Sequence, residues 1–162
     1  MRIVYVDKNR CLGCFNCERT CALYRFAHNG SYQSYIRVDV DFESRIVRTS
    51  TCRQCKNAAC ARVCPTGALV KTPQTGIMAV NLEICIGCGS CEHACRLGNV
   101  RIIPALGIAG KCDLCGGDPQ CVQSCFARAL LFDSLKNVVK LIKENRAHNL
   151  AIRAIGEEDT EG

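Results

Sequence analysis

The chain has 162 residues, a formal charge of +6, 16 cysteines and no tryptophan. That length fits one domain or two small fused ones. Cysteine occupies about a tenth of the chain, so the conventional apolar core is thin. The excess of Lys and Arg lacks the aromatic platforms of a nucleic-acid surface, and no apolar run approaches the roughly 18 residues needed to span a membrane.

Residues 1–7 open with Ile3 and Tyr5 alternating with Val4 and Val6 and read as a strand. This opening is too short and too soon polar for a signal peptide, which sets the expectation of a cytoplasmic chain with reduced thiols. Cys11, Cys14, Cys17 and Cys21 follow with the spacing C-x2-C-x2-C-x3-C, and the apolar stretch after Cys21 reads as the end of a short helix closed by Gly30. Residues 36–42 alternate with a period of two. With residues 45–48 they predict a hairpin turning at Glu43 and Ser44, placed to shield the cysteines from water. The second quartet, Cys52, Cys55, Cys60 and Cys64, opens the middle gap to four residues and runs into Pro65. A strand–turn–strand link follows, with its turn at residues 73–76 and its second strand over 77–80. Cys85, Cys88, Cys91 and Cys95 repeat the first spacing, with Gly87 and Gly89 on either side of Cys88. Residues 100–104 read as a further strand leaving this region. Cys112, Cys115, Cys121 and Cys125 open the middle gap to five, with turn chemistry over residues 116–119. Beyond them Ser134 is placed to cap a helix that puts Leu135, Val138, Val139 and Ile142 on one face. Residues 148–155 are apolar without a clear period, and 157–162 form an acidic tail.

Four quartets account for every cysteine. Three thiolates offset by three residues close around one face of a [4Fe-4S] cubane, and a fourth, about a helical turn further on, points away toward a neighbouring cluster. Glycines beside the second cysteine let the backbone wrap tightly with positive φ. A disulfide framework has no reason to fall into four such sets, and a structural zinc module uses C-x2-C pairs across a longer spacer. Walker loops, dinucleotide fingerprints and nucleophile elbows are missing, and His28, His93 and His148 offer little acid–base chemistry. The expectation is therefore a non-catalytic carrier of single electrons. Arg53, Lys56, Arg62, Arg96, Lys111 and His93 are candidates for tuning cluster potentials. Four clusters at about −2 each would bring the loaded chain from +6 to about −2, so the basic residues read as compensation for buried anions.

The sequence resembles the four-cluster ferredoxin-type electron-transfer subunits that accompany dimethyl sulfoxide reductase, formate dehydrogenase, carbon monoxide dehydrogenase and the tungsten aldehyde oxidoreductases. The resemblance runs from about Tyr5 to Phe132. It is carried by the four quartets with their gaps, by Cys64-Pro65-Thr-Gly-Ala-Leu, by Cys85-Ile-Gly-Cys-Gly and by Lys111-Cys-Asp-Leu-Cys. It implies an α+β fold of two ferredoxin-like [4Fe-4S]2 modules built from short hairpins and short helices. The inner module covers about 50–98 and the outer one 1–49 with 99–133, before a C-terminal helix and tail over 134–162. It also implies crossed ligand sets: Cys11, Cys14 and Cys17 with Cys125; Cys112, Cys115 and Cys121 with Cys21; Cys52, Cys55 and Cys60 with Cys95; Cys85, Cys88 and Cys91 with Cys64. Small size and the stretch from His28-Asn-Gly30 to Ile36-Arg37-Val38 resemble the small subunits of aldehyde oxidoreductase-type tungsten enzymes and of carbon monoxide dehydrogenase. The implied partner is a large tungsten or molybdenum pterin subunit, with carbon monoxide dehydrogenase, formate dehydrogenase or hydrogenase as alternatives. A flavoprotein, a ferredoxin or a second copy of the chain would meet the other end.

Overall fold

The computed structural model describes residues 2–26, 33–144 and 146. Its framework is mixed α+β, and every sheet in it is a single antiparallel ribbon. β1 (Ile3–Val6) pairs with β8 (Leu130–Asp133), tying the first described strand to the last. The expected alternation along β1 is not kept: Ile3 and Val4 are both buried, whereas Tyr5 and Val6 are half-buried. A two-stranded ribbon laid over a packed core has no second sheet to enforce one inward face.

β2 (Arg37–Asp41) and β3 (Ile46–Ser50) form the hairpin expected from the period-two segment. Its turn is drawn in by Asp41 Oδ1, which accepts from the Glu43 and Ser44 amides at 3.1 Å each. β4 (Leu69–Lys71) and β5 (Met78–Val80) supply the strand–turn–strand link. β6 (Val100–Ile103), read from sequence as a strand leaving the third quartet, instead turns back into β7 (Ile108–Lys111). The returning hairpin packs on helix α3 (Ser90–Ala94) and on β5, because Val100 and Ala109 have an apolar cluster to join there.

The other cysteine-bearing helices are α1 (Asn16–Phe26), α2 (Ala59–Arg62) and α4 (Gln120–Gln123), with a 3-10 turn over Leu114–Gly117. α1 packs on α4 and α2 on α3. Two cores result. Val4, Ile36, Val38, Leu114 and Leu130 surround Cys17, Cys21 and Cys121 in one. Leu69, Met78, Val100 and Ala109 surround Cys60 and Cys91 in the other. Sulfur stands where a larger domain would place leucine or phenylalanine.

Residues 135–144 are helical, and Ser134 Oγ accepts from the Asn137 amide at 3.4 Å, as expected of a cap. The expected apolar face is only partly used. Val138 is buried and Ile142 half-buried, whereas Leu135 and Val139 are exposed. The helix end at Gly30, the apolar stretch 148–155 and the acidic tail lie outside the described residues.

Candidate metal centres

Each quartet is folded in the same way. Its third cysteine (Cys17, Cys60, Cys91 or Cys121) is buried within a short helix. The residue before its second cysteine is left-handed in all four: Gly13 (φ 65°), Gln54 (49°), Gly87 (66°) and Leu114 (59°). That kink turns each loop back on itself ahead of the second cysteine. Glycine takes it freely, but Gln54 and Leu114 take it with a Cβ at a cost of about 1–2 kcal/mol. Both side chains are 1% exposed, and the packing they gain holds the conformation.

Helix pairing decides which cysteines meet. In the first group Cys17 lies near Cys11 and Cys125; burial pushes its thiol up to about 12, and the two neighbouring sulfurs add to the rise. In the second, Cys21, Cys112, Cys115 and Cys121 line one cavity together with Tyr35 and Pro119. Burial pushes the Cys112 thiol up to about 12, and raises Cys121 through burial first and then through Cys112, Cys21 and Cys115. In the third, burial raises Cys60, the Lys111 cation opposes the rise, and Cys52 and Cys95 add to it. In the fourth, Cys64, Cys85, Cys88 and Cys91 line a cavity with Gly87 and Gly89. Cys14 and Cys55 are exposed and join their groups by chain position alone.

The groups also influence one another electrostatically. Cys17 is an electrostatic neighbour of Cys121, Cys112 of Cys52, and Cys91 of Cys60.

Hydrogen bonds reach the sulfurs of every group. Cys11 Sγ and Thr49 Oγ1 are 3.2 Å apart. The Tyr35 amide donates to Cys21 at 3.3 Å and the Leu114 amide to Cys112 at 3.4 Å. Asn99 N–H donates to Cys95 at 3.4 Å, Ala68 N–H to Cys64 at 3.2 Å and Ala109 N–H to Cys85 at 3.3 Å. Thr66 and Ser90 place hydroxyls 3.6 and 3.4 Å from Cys64 and Cys88. At Cys88 the Ser90 hydroxyl and amide lower the thiol below its ordinary value. At Cys64 burial pushes upward but is outweighed by the Thr66 hydroxyl and the Ala68 and Leu69 amides.

The donor set fits an iron–sulfur core. Buried thiols gathered in this way are costly as bare thiolates, and positive iron between them removes the cost. Among the described residues no three His, Cys, Asp or Glu side chains gather closely enough for a single ion.

A 4Fe-4S dicluster domain family matches residues 44–135. The chain belongs to that 4Fe-4S dicluster family. As a member it is an iron–sulfur electron-transfer protein and not a catalytic subunit. The matched stretch holds the second, third and fourth quartets, and the first lies before it. The polyferredoxin-like subunit of aliphatic sulfonate oxidoreductase from Pyrococcus furiosus is 42% identical over 123 residues, covering 75% of this chain and 70% of that protein. One of the polypeptides of anaerobic dimethyl sulfoxide reductase from Escherichia coli is 32% identical over 155 residues, covering 84% of this chain and 75% of its own length. A component of the BamBC active-site complex of benzoyl coenzyme A reductase aligns over 98% of this chain and 97% of its own length, at 21% identity and a TM-score of 0.45. No helix among the described residues is long and apolar enough to cross a membrane.

Of the dicluster protein's candidate tuning residues, Arg53, Lys56, Arg62, Arg96 and His93 are exposed. Arg53 lies over the Tyr5 ring at 5.3 Å, and His93 Nδ1 is 3.0 Å from its own helix's Gly89 carbonyl. Lys111 alone of the six is buried, at 4% exposure. Sequence reasoning missed Gln54, Glu18 and Glu92. Gln54 was findable, because it holds the place that Gly13 and Gly87 hold in their quartets.

Proposed function

We propose that this chain carries four [4Fe-4S] clusters and relays single electrons within an oxidoreductase complex. Cys11, Cys14, Cys17 and Cys125 would hold the first cluster; Cys21, Cys112, Cys115 and Cys121 the second. Cys52, Cys55, Cys60 and Cys95 would hold the third; Cys64, Cys85, Cys88 and Cys91 the fourth. The observation that carries this reading is the pairing of α1 with α4 and of α2 with α3, which brings cysteines of two quartets into shared cavities. When bound, the clusters supply the one-electron chemistry. The chain's own part is to space them, to exclude water with its hairpins and to donate hydrogen bonds to sulfur.

One end of the relay would meet a large catalytic subunit of the tungsten or molybdenum pterin aldehyde oxidoreductase type. The other would meet a ferredoxin, a flavoprotein or a second copy, inside the cytoplasm. Resemblance to the polyferredoxin-like subunit of aliphatic sulfonate oxidoreductase supports an oxidoreductase complex as the setting. Anaerobic isolation tests the count. The expected result is about sixteen iron and sixteen acid-labile sulfide atoms per chain, with a broad absorbance near ~400 nm that dithionite bleaches. Zinc in a colourless protein would refute it.

A further inference from the structure

Lys111 closes β7 and points into the junction between the second and third sulfur groups. Its Nζ lies 3.2 Å from each of three acceptors: Cys52 Sγ, the Met78 carbonyl and the Cys112 carbonyl. An ammonium has three N–H donors and no acceptor, whereas a neutral amine has two donors and a lone pair. Three acceptors around one nitrogen match the three donors of the ammonium. A buried cation requires such pairing, and here one of the partners is a candidate cluster ligand.

At the other sulfurs among the described residues, the hydrogen-bond partners are neutral amides and hydroxyls. A charge-assisted hydrogen bond is roughly twice as strong as a neutral one. A cation near an anionic cluster also favours whichever redox state carries more negative charge. From this geometry we infer that Lys111 sets the potential of the third site, raising it above what neutral donors alone would give. The inference rests on the four-cluster reading. One electron arriving from a neighbouring site adds one negative charge within reach of Nζ, and no proton or further reductant is needed. Lys111 is thus a positioning residue for that electron. Its influence falls off from the third site to the second, where it touches only the Cys112 carbonyl, and is least at the two ends.

The test uses the anaerobically isolated full chain. Iron analysis of the wild type settles the four-cluster reading first: a count far below sixteen would sink that reading whatever Lys111 does. Redox titration followed by EPR then compares wild type, Lys111→Met and Lys111→Arg. In Lys111→Met one cluster should become harder to reduce, with its reduction equilibrium falling roughly ten-fold or more. A second cluster should shift less, two should not shift, and Lys111→Arg should restore most of the change. In wild-type protein labelled with 15N-lysine, pulsed EPR should show nitrogen coupling at that same cluster. The inference is overturned if no cluster shifts at full iron content, if all four shift equally, or if the labelled wild type shows no lysine coupling. Should Lys111→Met fail to retain iron, the coupling measurement on wild type decides alone.

Discussion

Gln54 holds a backbone conformation that Gly13 and Gly87 adopt without a Cβ, and its side chain shows what offsets the cost. Nε2 donates to the Cys112 carbonyl at 2.8 Å, and Oε1 accepts from the Met78 amide at 2.8 Å. One residue thereby fastens the second quartet to the fourth and to β5. Gln54→Leu keeps much of the volume but leaves the Met78 N–H buried and unpaired, a loss of ~1–3 kcal/mol, while the left-handed strain stays. Gln54→Gly loses the same bonds but relieves about 1–2 kcal/mol of strain. Leu should therefore be the worse substitution although it fills the space better. Anaerobic guanidinium titration of the visible absorbance should place the midpoints in the order wild type, Gly, Leu. Gly87 makes the opposite point. A Cβ there would sit 1.9 Å from the Gly107 carbonyl oxygen, so the loop carrying Cys88 can approach the β6–β7 turn only as glycine. Gly87→Ala should cost the fourth site its cluster, removing about a quarter of the iron, with the other sites still filled by metal analysis and EPR.

At the scale of elements, two glutamates do matching work. Glu18 follows Cys17 and Glu92 follows Cys91, at the same place in the two quartets of identical spacing. Glu18 Oε1 accepts from the Val38 amide at 2.6 Å, and Glu92 Oε2 accepts from the Ile102 amide at 3.1 Å. Each pins a hairpin over its own helix through a charge-assisted bond worth about 1.5–3 kcal/mol. Glu92→Gln retains an acceptor without the charge and should lose roughly half of that. Glu92→Ala should speed hydrogen exchange at the Ile102 amide roughly ten-fold or more, with no comparable change at Val38. An equal change at both amides would mean that the effect is global. The hairpins themselves were legible where the evidence was local: alternation over residues 36–42 and turn residues at 73–76 are contained in a few positions. β7 was not, because Ile108-Ala-Gly-Lys111 is short and finds its partner only once Val100 and Ala109 pack behind it. Gly110 shows why its composition misleads. A side chain there would come within 2.7 Å of the Tyr35 ring, so close packing requires a residue that argues against a strand.

Across the whole molecule, the sixteen sulfurs could be named from their spacing, but their order in space is a product of the helix pairing. α1 on α4 brings the first quartet to the last, and α2 on α3 brings the second to the third; no local pattern encodes either match. Nor does composition separate Lys111 from the other basic candidates, since only folding buries it. A line of groups has a consequence that an open cluster of four would not have. In the proposed order of four clusters, every electron passing between the first site and the fourth would use the second and the third, with Cys17 and Cys121, Cys112 and Cys52, and Cys60 and Cys91 as the electrostatic neighbours between them. Removing a ligand from an interior site should therefore isolate the ends without emptying them. Ile86 is 65% exposed beside Cys88, so a photosensitiser introduced there can deliver an electron to the fourth site by a flash. In wild type, rapid-freeze EPR should follow that electron onward to the sites beyond. In Cys60→Ala the first, second and fourth sites should still reduce with excess dithionite, but the fast transfer beyond the fourth should vanish. Cys14→Ala, at the far end, should leave transfer into the second and third sites at the wild-type rate. If Cys60→Ala passed electrons to the first site as fast as wild type, the sites would have to meet by some route other than this line.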